Sequence, residues 1–337
     1  MTFTLDTIKI APEHPLFAKS IQEQWNSFDP EHSLGDLEKM TIAYGSMTGM
    51  IPPELKTAMV LMCGDHGIAQ YGVSAYPPEV TIQMIGGYVQ GNAGANVLAR
   101  HANTDIFITD VGVNADLSSW PLVRNFKVAY GTSDFTQGPA MSREQALQGI
   151  AAGIKMADEA IGKGYNLLAT AEMGIGNTTS TAAIASAILH LTPEETVGRG
   201  TGINDARMLI KKKVVADGLA CNQPQGEDGL DVLSKVGGYD HAGLAGLIIG
   251  GACRGVPTMV DGVNATAAAL IAFKLFPETA KFMFCSHLSA EIAHRKMLQM
   301  MQLEPIVDAG MRLGEGTGAS LAIVILNNAL QIFNKAR

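Results

Sequence analysis

Residues Tyr165 to Ile184, which read YNLLATAEMGIGNTTSTAAI, decide the fold of this chain. The apolar run Leu167–Ala171 has the length and composition of a buried strand. Two glycines, Gly174 and Gly176, then lead into a helix start rich in hydroxyl groups. A strand, a glycine turn and a helix start are how α/β proteins present backbone N–H groups to an anion. A plain helix cap on an αβ connection is the alternative interpretation.

The overall composition indicates a large globular chain with a well-packed core. Of its 337 residues, 47% are hydrophobic and 17% are charged, so a substantial core is expected and long disorder is not. The net charge of −8 argues against a nucleic-acid binder, which would normally carry a basic face. The four cysteines form no C-x-x-C pair, which favours a reduced, cytoplasmic protein. We expect neither a signal peptide nor a membrane span, because no apolar run is suitably placed or long enough.

Strand-like and helix-like segments alternate along the chain, which is typical of a mostly parallel sheet with helices on both faces. We predict a doubly wound α/β fold with about six strands. The predicted strands are 57–65, 105–113, 166–171, 256–261, 281–285 and 305–308. The predicted helices are 15–27, 34–48, 78–101, 143–163, 179–191, 205–222, 240–254, 264–274, 290–301 and 320–335. Residues 1–54 and 316–337 are predicted to form a small helical domain beside a large Rossmann-like domain of residues 55–315.

The segment after the first predicted strand combines polar and apolar groups. Asp65 and His66 follow that strand directly, but no partner His or Cys has metal-ligand spacing, so no metal site is predicted. From Ser74 to Met84 the chain mixes Ser, Tyr, Gln and Met, which suits a flat aromatic ligand. Pro77 and Pro78 also fit an ordinary helix start, so the segment can also be interpreted as a structural element without a ligand.

Two further glycine-rich blocks contain residues that could bind a ligand or take part in catalysis. Residues 197–205, VGRGTGIND, contain three glycines beside Arg199 and Thr201 and could cradle a phosphate. Residues 311–320, MRLGEGTGAS, hold Glu315 between two glycines. Near apolar walls such a carboxylate acquires a raised pKa, which suits a general base; a helix-start acid favoured by the macrodipole is the equal alternative. A Walker loop and a G-x-G-x-x-G fingerprint are both missing, which disfavours a nucleoside triphosphatase and a dinucleotide oxidoreductase.

Seven blocks in order resemble the nicotinate-nucleotide–dimethylbenzimidazole phosphoribosyltransferases, from about Leu34 onward. They are GDHGI…GVSAYPPEVTIQM, AEMGIGNTTSTAA, GRGTGI, VGGYDHAGLAG, DGVNATAAAL, SHLSAE and MRLGEGTGAS. The resemblance implies transfer of phosphoribose from nicotinate mononucleotide to an aromatic base, usually 5,6-dimethylbenzimidazole, with inversion and loss of nicotinate. The product is the lower-ligand nucleotide of cobamides such as vitamin B12. No cofactor and no metal are implied.

The same resemblance implies roles for individual residues. Glu315 matches the catalytic base, and Glu172 matches a second carboxylate near the ribose. Residues matched to phosphate and ribose binding are Gly174, Gly176, Asn177, Thr178, Ser180, Gly202 and Lys211, the last with Lys212 and Lys213 as rivals. Residues matched to the acceptor pocket are Ser74, Tyr76, Gln83, Met84 and Leu313.

The chain departs from the family pattern in ways that leave the acceptor and the assembly open. Tyr239 replaces the usual Phe, Val263 follows Asp261-Gly262, and Asn92 interrupts a usual Gly-Gly-Ala. A phenolic acceptor, phenol or p-cresol, is therefore an alternative to a benzimidazole. A weakly active subunit paired with a paralogue is a second alternative. The resemblance otherwise implies a homodimer acting on small molecules.

Overall fold

The computed structural model describes residues 3–336 and contains one seven-stranded, all-parallel sheet. The strands are β1 (Thr57–Gly64), β2 (Thr104–Gly112), β3 (Val123–Asn125), β4 (Leu167–Met173), β5 (Thr258–Val260), β6 (Met283–His287) and β7 (Pro305–Val307). They lie in the order β3-β2-β1-β4-β5-β6-β7. The predicted doubly wound α/β fold is confirmed. The predicted count of about six omitted β3, which has only three residues and pairs at the sheet edge with β2.

Thirteen α-helices surround the sheet within the described residues. They are α1 (Pro15–Phe28), α2 (Asp36–Thr48), α3 (Val80–Gln90), α4 (Gly94–His101), α5 (Arg143–Gly162), α6 (Asn177–Leu189), α7 (Pro193–Thr196), α8 (Asp205–Asn222), α9 (Gly229–Val236), α10 (Tyr239–Cys253), α11 (Val263–Leu275), α12 (His294–Met301) and α13 (Thr317–Ala336). The single helix predicted over 78–101 is wrong: Gly91, at φ +74°, ends α3 and a new helix begins at Gly94. The short α7 and α9 were not predicted.

Two hydrophobic cores cover the two faces of the sheet. In β1 the residues alternate between them, with Val60 in one core and Leu61 in the other, as the pleat of a strand requires. Helices α5, α6 and α8–α12 supply the first core, and α1–α4 with α13 supply the second. The central strands are buried on both sides, which explains their continuous apolar runs.

The two ends of the chain meet on the second face. Trp25 of α1 and Phe333 of α13 lie with ring centroids 5.3 Å apart, and α2 contacts both helices. Helix α13 also contacts β4, β5, β6 and β7, so it belongs to the packing of the sheet as well. The division into a small helical domain and a large domain stays a prediction.

The order of the strands creates a switch point between β1 and β4. After β1 the chain adds β2 and β3 on one side, then returns to add β4 to β7 on the other. In open parallel sheets, ligands bind in the crevice outside the carboxyl ends of the strands at such a point. Glu172 and Met173 end β4 at this crevice.

Across residues 3–336, no helix combines the length and the apolar character that a membrane crossing needs.

Candidate active site

A cavity of about 740 Å³ opens at the carboxyl ends of the central strands. It collects side chains and backbone from six separated parts of the chain, between Ser74 and Glu315. Most residues predicted for the site line it: Ser74, Tyr76, Met84, Glu172, Gly174, Gly176, Asn177, Thr178, Leu313 and Glu315. The volume is within the usual range for a cavity that encloses a small organic ligand.

Four of the predicted site residues are not among those that line the cavity. Gln83 is exposed on α3. Ser180 is fully buried in α6, where its hydroxyl lies 2.9 Å from Nδ1 of His66. Gly202 is exposed in the loop before α8, and Lys211 lies on α8 behind the lining residue Thr178.

The first turn of α6 forms one end of the cavity. Gly176, at φ +99°, precedes the helix, and no side chain caps its first turn. The N–H groups of Asn177 and Thr179 donate to the carbonyl oxygens of Gly174 and Gly176, at 3.1 and 2.9 Å. Lys211 reaches this turn from α8 and donates a hydrogen bond from Nζ to Thr178 Oγ1 at 2.7 Å. Burial lowers the pKa of Lys211 to about 8, although Glu291 opposes the shift. An ammonium, a hydroxyl and a helix start are groups that together can bind an anion.

Glu172 contributes an acidic group to the cavity, in contrast to the ammonium of Lys211 at the start of α6. Its side chain is buried at the end of β4. Burial, reinforced by the negative charge of Asp240, raises the pKa of Glu172 to about 8. Asn264 opposes that shift by hydrogen bonding to the carboxylate. The side-chain amide of Asn177 also donates to Glu172. The Asn177 amide therefore helps to fix the orientation of this acid.

Glu315 enters the cavity from a loop whose backbone is unusual. Gly314, Glu315 and Gly316 all have positive φ, at +81°, +61° and +76°. A non-glycine residue with this conformation is uncommon, and such strain concentrates at functional positions. Burial raises the pKa of Glu315. The Tyr88 hydroxyl lowers it, although among the described residues that hydroxyl meets no partner with full hydrogen-bond geometry.

Asp261, which follows β5, anchors the loop that carries Glu315. Its two carboxylate oxygens accept hydrogen bonds from the backbone N–H groups of Gly316 at 3.0 Å and Ala319 at 2.9 Å. A carboxylate in this position also complements the positive end of α13. The base-bearing loop is thus tied to the centre of the sheet.

The loop of residues 197–204 closes the cavity against the segment that carries Ser74. Thr201 Oγ1 accepts the N–H of Ala75 at 2.8 Å and lies 3.1 Å from Ser74 Oγ. Arg207 donates to the carbonyl oxygen of Ser74. On the other side, Arg312 donates to the carbonyl oxygen of Gly200 at 2.9 Å.

Several cavity residues were not predicted. Asn264, Ser289, Glu291 and Arg312 line the cavity. They depend on which loops the sheet order brings together, and no local sequence signal distinguishes them.

A second polar cluster is buried beside the cavity. Nε2 of His66 lies 3.2 Å from Asp240 Oδ1, and Nδ1 of His241 lies 3.1 Å from the same oxygen. Burial opposes ionisation, yet His241 and His66 hold the pKa of Asp240 well below its usual range. The three groups lie within 4.8 Å of one another, a spacing that a metal ion could use. Among the described residues, His66 Nε2, His241 Nδ1 and Asp240 Oδ2 meet no partner with full hydrogen-bond geometry.

Comparison with known proteins identifies the family. The sequence model of a family described as phosphoribosyltransferase matches residues 10–337. A nicotinate-nucleotide–dimethylbenzimidazole phosphoribosyltransferase of Chloroflexus aggregans is 47% identical over 91% of this chain and 87% of its own length. One from Geotalea uraniireducens is 44% identical over 97% and 94%.

A solved structure, that of CobT from Thermus thermophilus, has the same fold. It superposes with a TM-score of 0.91 at 39% identity, covering 95% of this chain and 96% of the other. These matches extend through the cavity and both cores rather than through one motif. The chain therefore belongs to the nicotinate-nucleotide–dimethylbenzimidazole phosphoribosyltransferase family and is a glycosyltransferase-type enzyme.

Proposed function

We propose that the protein transfers the phosphoribosyl group of nicotinate mononucleotide to an aromatic base of the 5,6-dimethylbenzimidazole type. Nicotinate leaves, and the α-ribotide formed enters cobamide lower-ligand assembly. One observation carries the proposal: a single cavity joins an anion-binding helix start to two buried carboxylates and an apolar wall. The names of the relatives supply the identities of donor and acceptor.

The phosphate of the donor binds at the start of α6. Gly174 and Gly176 line the cavity there, and Thr178 and Asn177 offer polar groups at its wall. Lys211 supplies positive charge, and contact with a phosphate would keep it protonated because an opposite charge favours the charged form. Ser180 supports this turn from behind through His66, and Gly202 belongs to the loop that covers it.

The ribose lies over Glu172. When the bond between C1′ and the pyridinium nitrogen breaks, positive charge develops on the ribose, and a fixed carboxylate stabilises it. The electron pair of that bond returns to the ring nitrogen, so the leaving group departs neutral at nitrogen and needs no general acid. Glu172 therefore acts on charge rather than on a proton. Its pKa of about 8 means that it is ionised mainly at higher pH in the free protein, and the positive charge that develops on the ribose favours its ionised form.

Glu315 is the general base. It removes the N–H proton of the acceptor ring while the other ring nitrogen attacks C1′ from the face opposite to the leaving nicotinate. One bond to C1′ forms, one breaks, and the proton stays on Glu315. A carboxylate with a raised pKa suits this role, since efficient bases have pKa values near the working pH.

The acceptor binds between Met84 and Leu313, with Tyr76 and Ser74 at the cavity mouth. Tyr76 and Leu313 are both more than half exposed, which suits groups that become buried only when a flat ring enters. Gln83 is exposed on α3, and we propose that it contacts the acceptor from outside this wall.

We further propose a cytoplasmic homodimer. The exposed apolar side chains include Leu16, Phe28 and Met50 on the face formed by the chain ends, which suit a contact between subunits. Light scattering of the purified chain tests this, with a monomer as the contrary result. A stable complex only with a paralogous chain would replace the homodimer by a heterodimer.

A product assay tests the reaction. The purified chain is incubated with nicotinate mononucleotide and, separately, 5,6-dimethylbenzimidazole, benzimidazole, adenine, phenol and p-cresol, with products identified by mass spectrometry. Nicotinate release with a benzimidazole ribotide supports the proposal. A product with only phenol or p-cresol would keep the chemistry and replace the acceptor. No nicotinate release with any acceptor would overturn the proposal and favour a supporting subunit.

A further inference from the structure

A carboxylate of the protein itself lies against the glycine loop of residues 198–200. Oε1 of Glu291 accepts the backbone N–H of Gly200 at 2.8 Å. A Cβ atom at Gly198 would overlap Oε2 of the same side chain, so a glycine is what leaves room for the acid there. Glu291 lies between β6 and α12, 91 residues away in the sequence, and it also lines the cavity. The loop whose glycines predict a phosphate cradle therefore binds an anionic group of the chain itself.

Two cations hold the carbonyl side of this loop. Lys211 Nζ donates to the carbonyl oxygen of Gly198 at 3.3 Å. Arg312 Nη1 donates to the carbonyl oxygen of Gly200 at 2.9 Å. The negative charge of Glu291 raises the pKa of Lys211, against the burial that lowers it to about 8. Glu291 thus acts as a counter-charge for the buried ammonium.

The same groups lie beside the start of α6, where the proposed function places the phosphate. Lys211 Nζ lies 2.7 Å from Thr178 Oγ1, and a Cβ atom at Gly200 would lie 2.7 Å from that hydroxyl and 3.0 Å from Nζ. Gly200, Thr178 and Glu291 all line the cavity. Proteins bind phosphate with the backbone N–H groups of glycine-rich loops and with nearby cations. A phosphate at this position would need the Gly200 N–H and the Lys211 charge that Glu291 uses.

Two anions at one position repel each other, so the charge of Glu291 weakens the binding of an anion that arrives from solution. The repulsion is larger in a partly buried site than on an open surface, because salt screens buried charges much less. The donor and the product ribotide carry the same phosphate, so both are affected alike. An interaction that is equal before and during the chemical step changes affinity and leaves the rate of that step unchanged.

We infer that Glu291 is an internal competitor of the donor's phosphate, because its carboxylate occupies the Gly200 N–H and balances the charge of Lys211 in the free protein. The inference rests on the proposed function for the place of the phosphate and adds a residue that tunes the affinity for donor and product. In the free protein the contact satisfies a backbone donor and a buried cation. During turnover it weakens the hold on the product ribotide, which must leave with its phosphate.

Isothermal titration calorimetry with inorganic phosphate and, separately, with nicotinate mononucleotide tests the competition. Glu291→Gln removes the charge but keeps a side-chain oxygen that can accept the Gly200 N–H. Because the repulsion is lost, we expect both ligands to bind about three- to tenfold more tightly. Glu194→Gln, at an exposed position of α7, makes the same change in net charge and should bind both ligands as the unaltered protein does.

An equal or weaker affinity for phosphate in Glu291→Gln would overturn the inference, because Glu291 would then only support the loop. The same gain in Glu194→Gln would also overturn it, because net charge alone would explain the effect. If phosphate binds and nicotinate mononucleotide does not, the proposed function fails, while a gain in phosphate affinity still supports competition at this loop. The two failures are therefore distinguishable.

The product ribotide supplies a second readout. It keeps the phosphate after nicotinate has left, so Glu291→Gln should lower its dissociation constant by the same factor as that of the donor. A gain for the donor alone would place the effect at the nicotinate ring rather than at the phosphate, and it would overturn the inference.

Discussion

Glu172 and Glu315 share one cavity, but the chain holds them by different means. Glu172 ends a buried strand, and the side-chain amide of Asn177 on α6 donates a hydrogen bond to its carboxylate. Glu315 lies in a loop of three residues with positive φ, held mainly by backbone bonds to Asp261. A rigid strand end suits a group that must stabilise charge in place. A loop suits a base that receives a proton and must then release it.

Removing the carboxylate in the loop should have the largest effect. Glu315→Gln keeps the shape and the left-handed backbone but cannot accept the acceptor proton. We expect kcat to fall by about 10²–10⁴-fold, the usual range for a general base. Steady-state nicotinate release measures this, with the urea midpoint as a check on folding. Near-normal turnover would remove Glu315 from the role of base and make the two carboxylates less distinct than we propose.

Replacing Glu172, the carboxylate at the end of β4, should change how the free energy of unfolding depends on pH. The pKa of Glu172 is about 8 in the folded protein against an ordinary 4.5, so the folded state binds its proton more tightly. Its favourable contribution is therefore complete below pH 4.5 and is lost as pH rises through about 8. Glu172→Gln should match the unaltered protein near pH 5 and exceed its free energy of unfolding near pH 9 by on the order of 2–4 kcal/mol.

Urea unfolding at both pH values measures this difference. Glu23→Gln, on the exposed face of α1, is the matched control and should show no such pH dependence. If Glu172→Gln had the same pH dependence as the unaltered protein, Glu172 would not be buried in an acidic environment.

The two carboxylates also differ in how far they were predictable. Glu172 and the glycine turn after β4 could be predicted because the strand, the turn and the helix start are adjacent in the sequence. Glu315 was found as an acid between glycines, but its bonds to Asp261 depend on the order of β4, β5 and α13. The partners Asn264 and Tyr88 could not be predicted, because their proximity follows from the sheet order. β3 was missed because three residues at an edge leave no periodic pattern.

The conformation of the loop can be tested separately from its chemistry. Gly316→Ala forces a side chain into a left-handed residue, and its Cβ would overlap the Met59 sulfur. Gly310 is also left-handed, at φ +62°, but has open space around it. We expect Gly316→Ala to cost about 1–3 kcal/mol of stability and Gly310→Ala about 1 kcal/mol or less. Urea unfolding compares them, and equal losses would mean that the loop relaxes freely.

The smallest effect concerns the environment of Glu315. The Tyr88 hydroxyl lowers the pKa of Glu315, so Tyr88→Phe should raise that pKa and move the acidic limb of the kcat/KM profile to higher pH. On that limb we expect a loss of about threefold, vanishing at high pH where the base is ionised in both proteins. Tyr130→Phe, at an exposed tyrosine, serves as the control. A loss that is the same at every pH would assign Tyr88 to packing alone.

The cavity walls are joined by contacts between distant parts of the chain. Ser74 meets Thr201, Arg312 meets Gly200, and Gly316 meets Asp261. We expect contacts between residues so far apart in sequence to form late in folding, because the entropy cost of closing a long loop must be met before the contact can stabilise the chain. The cavity therefore exists only once both halves of the sheet and the last helix are in place. Catalytic competence should appear in the final step of refolding, after most of the secondary structure has formed.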